Sequence, residues 1–354
     1  MVDRSAATLL LCGYYGENNL GDDALLGVLL RDLPAEYRLW ITAHDAEDLA
    51  QLCPEAKRVD RRSLRVVLAA VARVDAVVLG GGSLLQDSTS FRSLIYYLLV
   101  IAAARWHGRP VLLWGQGLGP LNRPLSRWLV RALLPLCSSA SWRDATSFSL
   151  ARRWAPQLPM VVAPDPVWQV PERSWRGGGA IVLSWRPTPL LDARGWRCLL
   201  TALAAVAERL DAPVCWLAFH QHQDAPLLAS LQERGLVPAR LSRRSSIVVP
   251  SDLTTVFDQV HAARLVIPMR LHALVLARLA GCPMAALSYD PKVEAAAEMA
   301  GIPCQDLANL PAASTLEQEW LAQADLAPSS DRIATIRRQA TLHGERLRQA
   351  LAQL

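Results

Sequence analysis

Short apolar runs alternate with longer segments of helical period along the first half of this chain. The runs end in small or polar residues and read "TLLLCGYYG" (8–16), "RLWITA" (38–43), "DAVVLGGGSLLQD" (75–87), "PVLLWGQGLGP" (110–120) and "SSASWRD" (138–144). Strands of four to eight residues that alternate with helices are typical of a parallel sheet with right-handed crossovers. The first half is therefore predicted to be Rossmann-like.

The same alternation restarts after a proline- and glycine-rich segment, "PDPVWQVPERSWRGGG" (164–179), which has the composition of a linker. We therefore predict an α/β protein of two Rossmann-like, doubly wound domains facing a central cleft, the usual place for ligands in this class. The predicted boundaries are residues 1–164 for the first domain, 165–179 for the linker, 180–328 for the second domain and 329–354 for a C-terminal basic helix. That amphipathic helix has no aromatic anchors, which favours a solvated capping helix over a membrane-surface or partner-binding one.

Length and composition are those of a packed globular protein. A chain of 354 residues, 52% apolar and 19% charged, is long enough for two cores. The net charge of +5 is carried almost entirely by arginine, which we attribute to coding composition. The basic residues do not cluster on one element, and "RRSLR" (61–65) has the pattern of an ordinary helix face, so no nucleic-acid partner is predicted.

Seven scattered cysteines, without C-x-x-C spacing, indicate neither a disulfide framework nor a metal site. Three of them lie in or beside apolar runs and are expected to be buried, namely Cys12, Cys215 and Cys282. Cysteines without a disulfide pattern fit a reducing cytoplasm. No signal peptide is predicted, and the longest uncharged apolar run (94–104) is well short of the roughly 20 residues that cross a bilayer. We expect a cytoplasmic protein with at most peripheral association at the inner face of the membrane.

Three successive strand ends of the first half carry glycine-rich turns, and together these are a stronger signal than one turn alone. Such turns allow backbone N–H groups and helix N-termini to approach an anion or a sugar. The G-x-G-x-x-G fingerprint and the G-K-S/T phosphate loop are both absent, which argues against a dinucleotide cofactor and against ATP hydrolysis.

In the second half, cationic residues and a histidine stand at strand-to-helix junctions. Arg270 and His272 suit a ligand that has a phosphate or carboxylate and a proton to be moved, although a lone histidine at a helix start is usually structural. Lys292 stands in the first turn of a helix, where a cation opposes the helix dipole, and this placement is unfavourable unless an anion is bound. Arg143 and Arg186 also end strands, one in each domain. Either could line the cleft with positive charge or form a simple ion pair, Arg143 with Asp144 or Asp165 for instance.

Seven ordered motifs between residues 10 and 300 resemble the polysaccharide pyruvyl transferases, most closely the CsaB-type cell-wall pyruvyl transferases. The motifs are "GYYGENNLGDDALL", "LGGGSLLQD", "GQGLGP", "SWRD", "PDPVW", "MRLHAL" and "YDPKV". The resemblance implies a GT-B-like pair of domains, phosphoenolpyruvate as the donor, and neither a metal nor a redox cofactor. Transfer of the pyruvyl group to a sugar forms a ketal and releases phosphate.

The resemblance also implies roles for single residues. Arg143, Arg270 and Lys292 would bind phosphoenolpyruvate, with Arg186 a weaker candidate. His272 would be the general acid that protonates the methylene carbon, with Arg270 and Lys292 beside it in the catalytic group. A sugar hydroxyl then attacks the oxocarbenium-like centre, and a second hydroxyl of the same sugar closes the ring.

The segment "GYYGENNLGDD" (13–23) is expected to bind the acceptor. Asn18, Asn19, Asp22 and Asp23 could hydrogen-bond sugar hydroxyls, although one aspartate could instead cap the helix. Glu17 stands where many relatives carry an aromatic residue, so the identity of the sugar is open. An N-acetylmannosamine-type sugar of a cell-wall or surface polysaccharide, lipid-linked or not, is the expected acceptor.

Two other functions compete with this hypothesis. A GT-B glycosyltransferase that uses a nucleotide sugar would share the fold, but the region "YDPKVEAAAE" offers only Glu294 and Glu298 for ribose and pyrophosphate. A non-catalytic sugar-binding module would explain the glycine turns but not the convergence of Arg143, Arg270, His272 and Lys292. Because donor and acceptor residues are predicted on different domains, we also expect closure about a hinge in residues 164–179.

Overall fold

The computed structural model of the protein describes residues 7–326 and 331–354, without the side chains of Asp48, Gln51 and Asp331. Contacts divide the chain into two compact units. The first comprises residues up to Glu17, Asp22–Gln169 and Ile336–Leu354, and the second comprises Asn18–Gly21 and Val170–Thr335. The change at Gln169 lies inside the predicted linker.

The first unit is built from alternating strands and helices. In chain order these are β1 (Thr8–Tyr15), α1 (Leu20–Asp32), β2 (Arg38–Ala43), α2 (Ala46–Leu52), β3 (Lys57–Asp60), α3 (Leu64–Val71), β4 (Ala76–Leu79), β5 (Gly82–Leu85), α4 (Phe91–Trp106), β6 (Val111–Leu118), α5 (Pro124–Leu133), β7 (Ser139–Trp142), α6 (Ala145–Trp154) and β8 (Met160–Val162). The strands form a parallel sheet of order β3-β2-β1-β4-β6-β7-β8, with β5 paired to β6. All residues of β4 and β6 are buried, as continuous apolar strands covered on both faces should be.

The second unit repeats this plan on a smaller sheet. Its elements are β9 (Ile181–Ser184), α7 (Ala193–Arg209), β10 (Val214–Leu217), α8 (Gln221–Asp224), α9 (Leu227–Glu233), α10 (Ala239–Ser242), β11 (Ser245–Val248), α11 (Leu253–His261), β12 (Leu265–Pro268), α12 (Leu271–Leu279), β13 (Ala286–Ser288), α13 (Pro291–Ala300), β14 (Cys304–Asp306) and α14 (Ala313–Ala324). The parallel order is β11-β10-β9-β12, and β13 pairs with β14. The sheets of both units are therefore wound as the apolar runs predict.

The predicted C-terminal helix is two helices where the structure describes it, α15 (Asp331–Ala340) and α16 (Leu342–Leu351). Its first two predicted residues, 329 and 330, lie outside the described residues. The α16 helix packs against β7 and β8 of the first unit and buries His343, Leu347 and Leu351. The tail is thus partly an element of the first core and not only a solvated cap.

Candidate active site

The parallel strands of the four-stranded sheet in the second unit end at one edge, and β13, which a parallel bridge between Val266 and Met284 joins to β12, ends on the same side. Several predicted site residues follow these strand ends. Arg186 comes after β9, Arg270 and His272 come after β12, and Lys292 comes after β13. Because helices start at the same edge, the backbone N–H groups of α12 and α13 lie beside these side chains. The second unit therefore collects Arg186, Arg270, His272 and Lys292 on one edge, as the sequence predicts.

Arg270 is the residue immediately before α12, and its guanidinium is held by a carboxylate. Its Nε donates to Asp224 Oδ2 at 3.1 Å, and its Nη2 donates to Asp224 Oδ1 and, at 3.1 Å, to Gln223 Oε1. Asp224 is buried, with a side chain only 1% exposed, whereas the Arg270 side chain is 15% exposed. The pair is bidentate, so it fixes the plane of the guanidinium as well as its position.

His272 lies in the first turn of α12, and Gly21 packs directly on its ring. A Cβ atom built on Gly21 would clash with Nδ1 of His272. Gly21 belongs to the short segment 18–21 that is grouped with the second unit. The glycine is therefore required at this position because the imidazole occupies the space of a side chain.

The segment 18–21 is paired with the end of β10. The Leu20 N–H donates to the Phe219 carbonyl at 3.1 Å, and the Gln221 N–H donates to the Asn18 carbonyl at 3.1 Å. Asn18 has a φ of 55°, a left-handed conformation that asparagine tolerates better than most residues. The whole acceptor segment is predicted to lie in the first domain, whereas contacts group Asn18 and Asn19 with the second unit and Glu17, Asp22 and Asp23 with the first.

Asn19 caps the start of α1. The Gly21 N–H donates to Asn19 Oδ1 at 3.3 Å, and Asp22 and Asp23 lie inside the first turn of the helix. Carboxylates in the first turn interact favourably with the helix dipole. Asn19 therefore occupies the cap position, and the roles of Asp22 and Asp23 stay predictions.

Lys292 and Arg186 are each matched by a neighbouring group. Lys292 Nζ lies 3.2 Å from Asp290 Oδ2, and Asp290 also caps α13 by accepting from the Lys292 N–H at 3.0 Å. Arg186 Nη1 donates to the Tyr289 hydroxyl at 3.2 Å, and its guanidinium stacks on the same ring at 4.7 Å. Three cations, Arg186, Arg270 and Lys292, thus share this edge with two partner carboxylates, which leaves a positive balance for an anion.

His220 also lies at this edge, although it is not among the predicted site residues. It is 8% exposed, and Nδ1 accepts or donates no hydrogen bond among the described residues. Burial, and next the charge of Arg270, lower the pKa of His220 below its ordinary value. The signal that could have found it is the polar segment "FHQHQD" (219–224) immediately after an apolar strand.

Arg143, the remaining donor candidate, is in the first unit and is buried in an ion pair. Its Nη1 donates to Asp165 Oδ2 at 2.9 Å, and its Nη2 donates to Ser83 Oγ at 2.8 Å. Asp144 instead caps α6 by accepting from the Ser147 N–H. Of the two ion-pair partners considered from the sequence, Asp165 is the one observed, and the donor-binding role of Arg143 stays a prediction.

Glu17 is also engaged by arginines. Its carboxylate binds Arg61 through Oε1 and Arg62 through Oε2, the latter at 2.9 Å. Burial alone would raise the pKa of Glu17, but the hydrogen bonds from Arg62 and Arg61 outweigh burial and lower it. The interpretation of 61–65 as an ordinary helix face is therefore wrong for Arg61 and Arg62, which precede α3 and neutralise a buried acid.

The glycine turns of the first unit have an internal explanation. A Cβ atom on Gly13 or Gly80 would clash with the Tyr15 side chain, which is buried. These two glycines make room for that ring in the core. Their presence is accounted for by packing, and the proposed approach of a ligand to the turns stays a prediction.

A model of the family described as polysaccharide pyruvyl transferase matches residues 19–291. This chain belongs to that family. The match spans both predicted domains and includes Arg143, Arg186 and Arg270, it ends one residue before Lys292, and it makes the protein a transferase enzyme. It does not decide the CsaB-type subfamily, and no curated protein matches the sequence significantly.

Solved structures show the same fold over nearly the whole chain. Anabaena HepE in complex with UDP and glucose is 13% identical with a TM-score of 0.58, and 98% of this chain and 100% of that chain are covered. A UDP-N-acetylglucosamine 2-epimerase from Methanocaldococcus jannaschii is 11% identical with a TM-score of 0.63, with 98% and 99% covered. These likenesses confirm the predicted fold class, α/β and GT-B-like with two Rossmann-like domains, and at such identities they carry the fold alone.

The described residues contain neither a membrane-spanning helix nor a cluster of metal ligands. No helix within residues 7–326 and 331–354 has the length and hydrophobicity to cross a bilayer. In the same ranges, no group of three or more histidine, cysteine, aspartate or glutamate side chains is arranged to hold a metal ion. All seven cysteines are free thiols, and Cys12, Cys215 and Cys282 are buried as predicted.

Proposed function

We propose that the protein transfers the pyruvyl group of phosphoenolpyruvate to a sugar of a cell-wall or surface polysaccharide precursor, as a cyclic ketal. Membership of the pyruvyl transferase family supports this proposal most strongly. The arrangement of Arg270, His272 and Lys292 at the starts of two neighbouring helices is what a donor with both a carboxylate and a phosphate needs.

In the proposed reaction His272 donates a proton to the methylene carbon of phosphoenolpyruvate, and a sugar hydroxyl adds to the adjacent carbon. A second hydroxyl of the sugar then displaces phosphate and closes the ring. The sugar loses two protons: one restores His272 and the other leaves with phosphate.

Arg270 and Lys292 bind and orient the donor in this scheme. Arg270 is paired with Asp224, and Lys292 is paired with Asp290. These pairs orient the two cationic groups before the donor binds. Asn18 and Asn19 lie on the segment that touches His272 through Gly21, which would bring an acceptor hydroxyl toward the acid. An N-acetylmannosamine-type sugar is the proposed acceptor.

The proposal is tested by incubating the protein with phosphoenolpyruvate and an acceptor that contains N-acetylmannosamine. Release of phosphate that depends on both compounds supports the proposal. Release of a nucleoside diphosphate from a sugar nucleotide, with phosphoenolpyruvate inert, would show instead a glycosyltransferase of the same fold. A His272→Gln variant should release phosphate far more slowly under the same conditions.

A further inference from the structure

Asp224 is a buried carboxylate, at the edge of the second sheet, that accepts hydrogen bonds from two different elements. It is 5% exposed and accepts three hydrogen bonds, two from Arg270 and one from the His220 N–H at 2.9 Å. A carboxylate this deeply buried is stable only when its charge is matched and its oxygens are satisfied. Here one side chain from β12–α12 and one backbone group from β10–α8 share that task.

The contact with Arg270 determines which part of the guanidinium faces a ligand. Asp224 occupies Nε and Nη2, the edge that forms a bidentate pair, and Gln223 also accepts from Nη2. None of the described residues accepts a hydrogen bond from Nη1 of Arg270. Because the guanidinium is planar and rigid, fixing one edge fixes the direction of the remaining donors.

The contact between Asp224 and the His220 N–H supports the backbone that pairs with the predicted acceptor segment 18–21. The backbone of Phe219–Gln221 is the strand-like partner of Asn18–Leu20, joined by the two hydrogen bonds described above. The N–H of His220, in the middle of that partner, is held by Asp224. One carboxylate therefore supports both Arg270 and the backbone on which Asn18 and Asn19 are paired.

We propose that Asp224 is a positioning residue that couples the donor-binding Arg270 to the acceptor-binding segment 18–21. The proposal rests on the proposed function where it names phosphoenolpyruvate as the donor. Asp224 does not touch the reacting atoms; it sets the orientation of the groups that do. An asparagine at this position has one acceptor oxygen in place of two and no charge, so it cannot serve Arg270 and His220 in the same way.

The test compares Asp224→Asn with Asp211→Asn, a matched change in the same unit. Asp211 accepts from Arg244 Nη2 at 3.0 Å, but its side chain is 88% exposed, so its loss should change little. In ligand-free protein, hydrogen exchange at the His220 amide and in residues 18–21 should quicken by on the order of tenfold in Asp224→Asn only. Calorimetry should show roughly tenfold to hundredfold weaker phosphoenolpyruvate binding, again only in that variant.

A third variant, Asp224→Glu, covers the case in which Asp224→Asn does not fold. It keeps the charge but displaces the carboxylate by one methylene, so we expect a folded protein with intermediate loss of phosphoenolpyruvate affinity. Wild-type exchange and wild-type affinity in the folded Asp224 variants would overturn the proposal. A wild-type protein that does not bind phosphoenolpyruvate would contradict the proposed function instead, and the ligand-free exchange would still test Asp224.

Discussion

The contact between Gly21 and His272 leaves no space for a side chain at position 21. Changing Gly21 to alanine must displace the ring, the helix start or both, and a displaced acid is a poor proton donor. The same helix contains Gly27, where a Cβ atom would meet nothing within 4 Å. The two glycines of α1 thus form a matched pair, one constrained and one not.

We expect Gly21→Ala to lower the turnover number by on the order of a hundredfold, because the imidazole no longer lies where the donor is held. Gly27→Ala should keep full activity and gain about 0.5–1 kcal/mol in the free energy of unfolding, since alanine is the better helix former. Phosphate release and thermal unfolding measure both effects. Equal activity in the two variants would contradict the proposed catalytic role of His272.

The two lysines of the chain provide a second matched pair. Lys292→Gln should weaken phosphoenolpyruvate binding roughly tenfold to a hundredfold, because a charge-assisted contact with the donor is lost. Lys57, which lies 3.8 Å from the Trp40 ring centroid in the first unit, has no such role, and Lys57→Gln should bind the donor normally. Direct binding measurements decide between a donor contact and a simple pair with Asp290.

His272→Gln should separate chemistry from binding. Loss of a general acid typically costs about 10²–10⁴ in rate, whereas the affinity for phosphoenolpyruvate should change little. Single-turnover kinetics together with donor titration measure the two quantities. A variant that retains the wild-type rate would exclude the acid role.

The elements that the sequence predicts well are those set by local patterns. Apolar runs of β4 and β6 are buried from end to end, and Arg270 and Lys292 stand at helix starts as their motifs indicate. Partners that come together only through tertiary packing could not be predicted. Arg270 is 46 residues from Asp224, and Glu17 is 44 residues from Arg61.

The C-terminal tail is helical, and its tertiary contacts could not be predicted from its sequence pattern. Its amphipathic pattern predicts helix, but the break after Ala340 and the burial of His343 depend on the strands that α16 covers. His343 Nε2 lies 2.8 Å from the Pro164 carbonyl, so the neutral ring donates to it. Burial lowers the pKa of His343 to about 4 from its ordinary 6.5.

This shift predicts a pH-dependent stability of the first unit. Below pH 6.5 the unfolded chain binds a proton that folded His343 does not, so stability is fully present above that pH and falls as pH drops toward 4. The shift corresponds to about 3 kcal/mol in the free energy of unfolding. Denaturant unfolding between pH 7 and 4 should show that the free energy of unfolding falls less steeply with decreasing pH in His343→Gln than in the wild type. The exposed control His107→Gln should keep the wild-type dependence on pH. Equal slopes in all three proteins would contradict the assignment.

In the whole molecule, the chain passes between its two units more often than a single linker would require. The changes fall after Glu17, Gly21, Gln169 and Thr335. A hinge confined to residues 164–179, as the sequence suggested, would leave the other crossings unaccounted for. Any movement of one unit against the other must therefore also be accommodated near residues 17–22 and 335–336.

Compaction on donor binding stays a prediction, and small-angle scattering measures it. The radius of gyration should fall when phosphoenolpyruvate is added, and it should stay low when the acceptor follows, because closure excludes the water that would intercept an oxocarbenium-like centre. The Lys292→Gln variant, with a weakened donor site, should need more donor for the same change. A radius that is constant in all three states would indicate that closure is not part of the reaction.

Mass analysis of the acceptor after reaction tests the central claim most directly. With phosphoenolpyruvate and an N-acetylmannosamine-containing acceptor, we predict that the sugar gains the mass of one pyruvate less one water while one phosphate is released. Fragmentation should locate that mass as a ketal across two oxygens of a single sugar. An acceptor of unchanged mass, or one extended by a whole sugar from a nucleotide donor, would contradict the account.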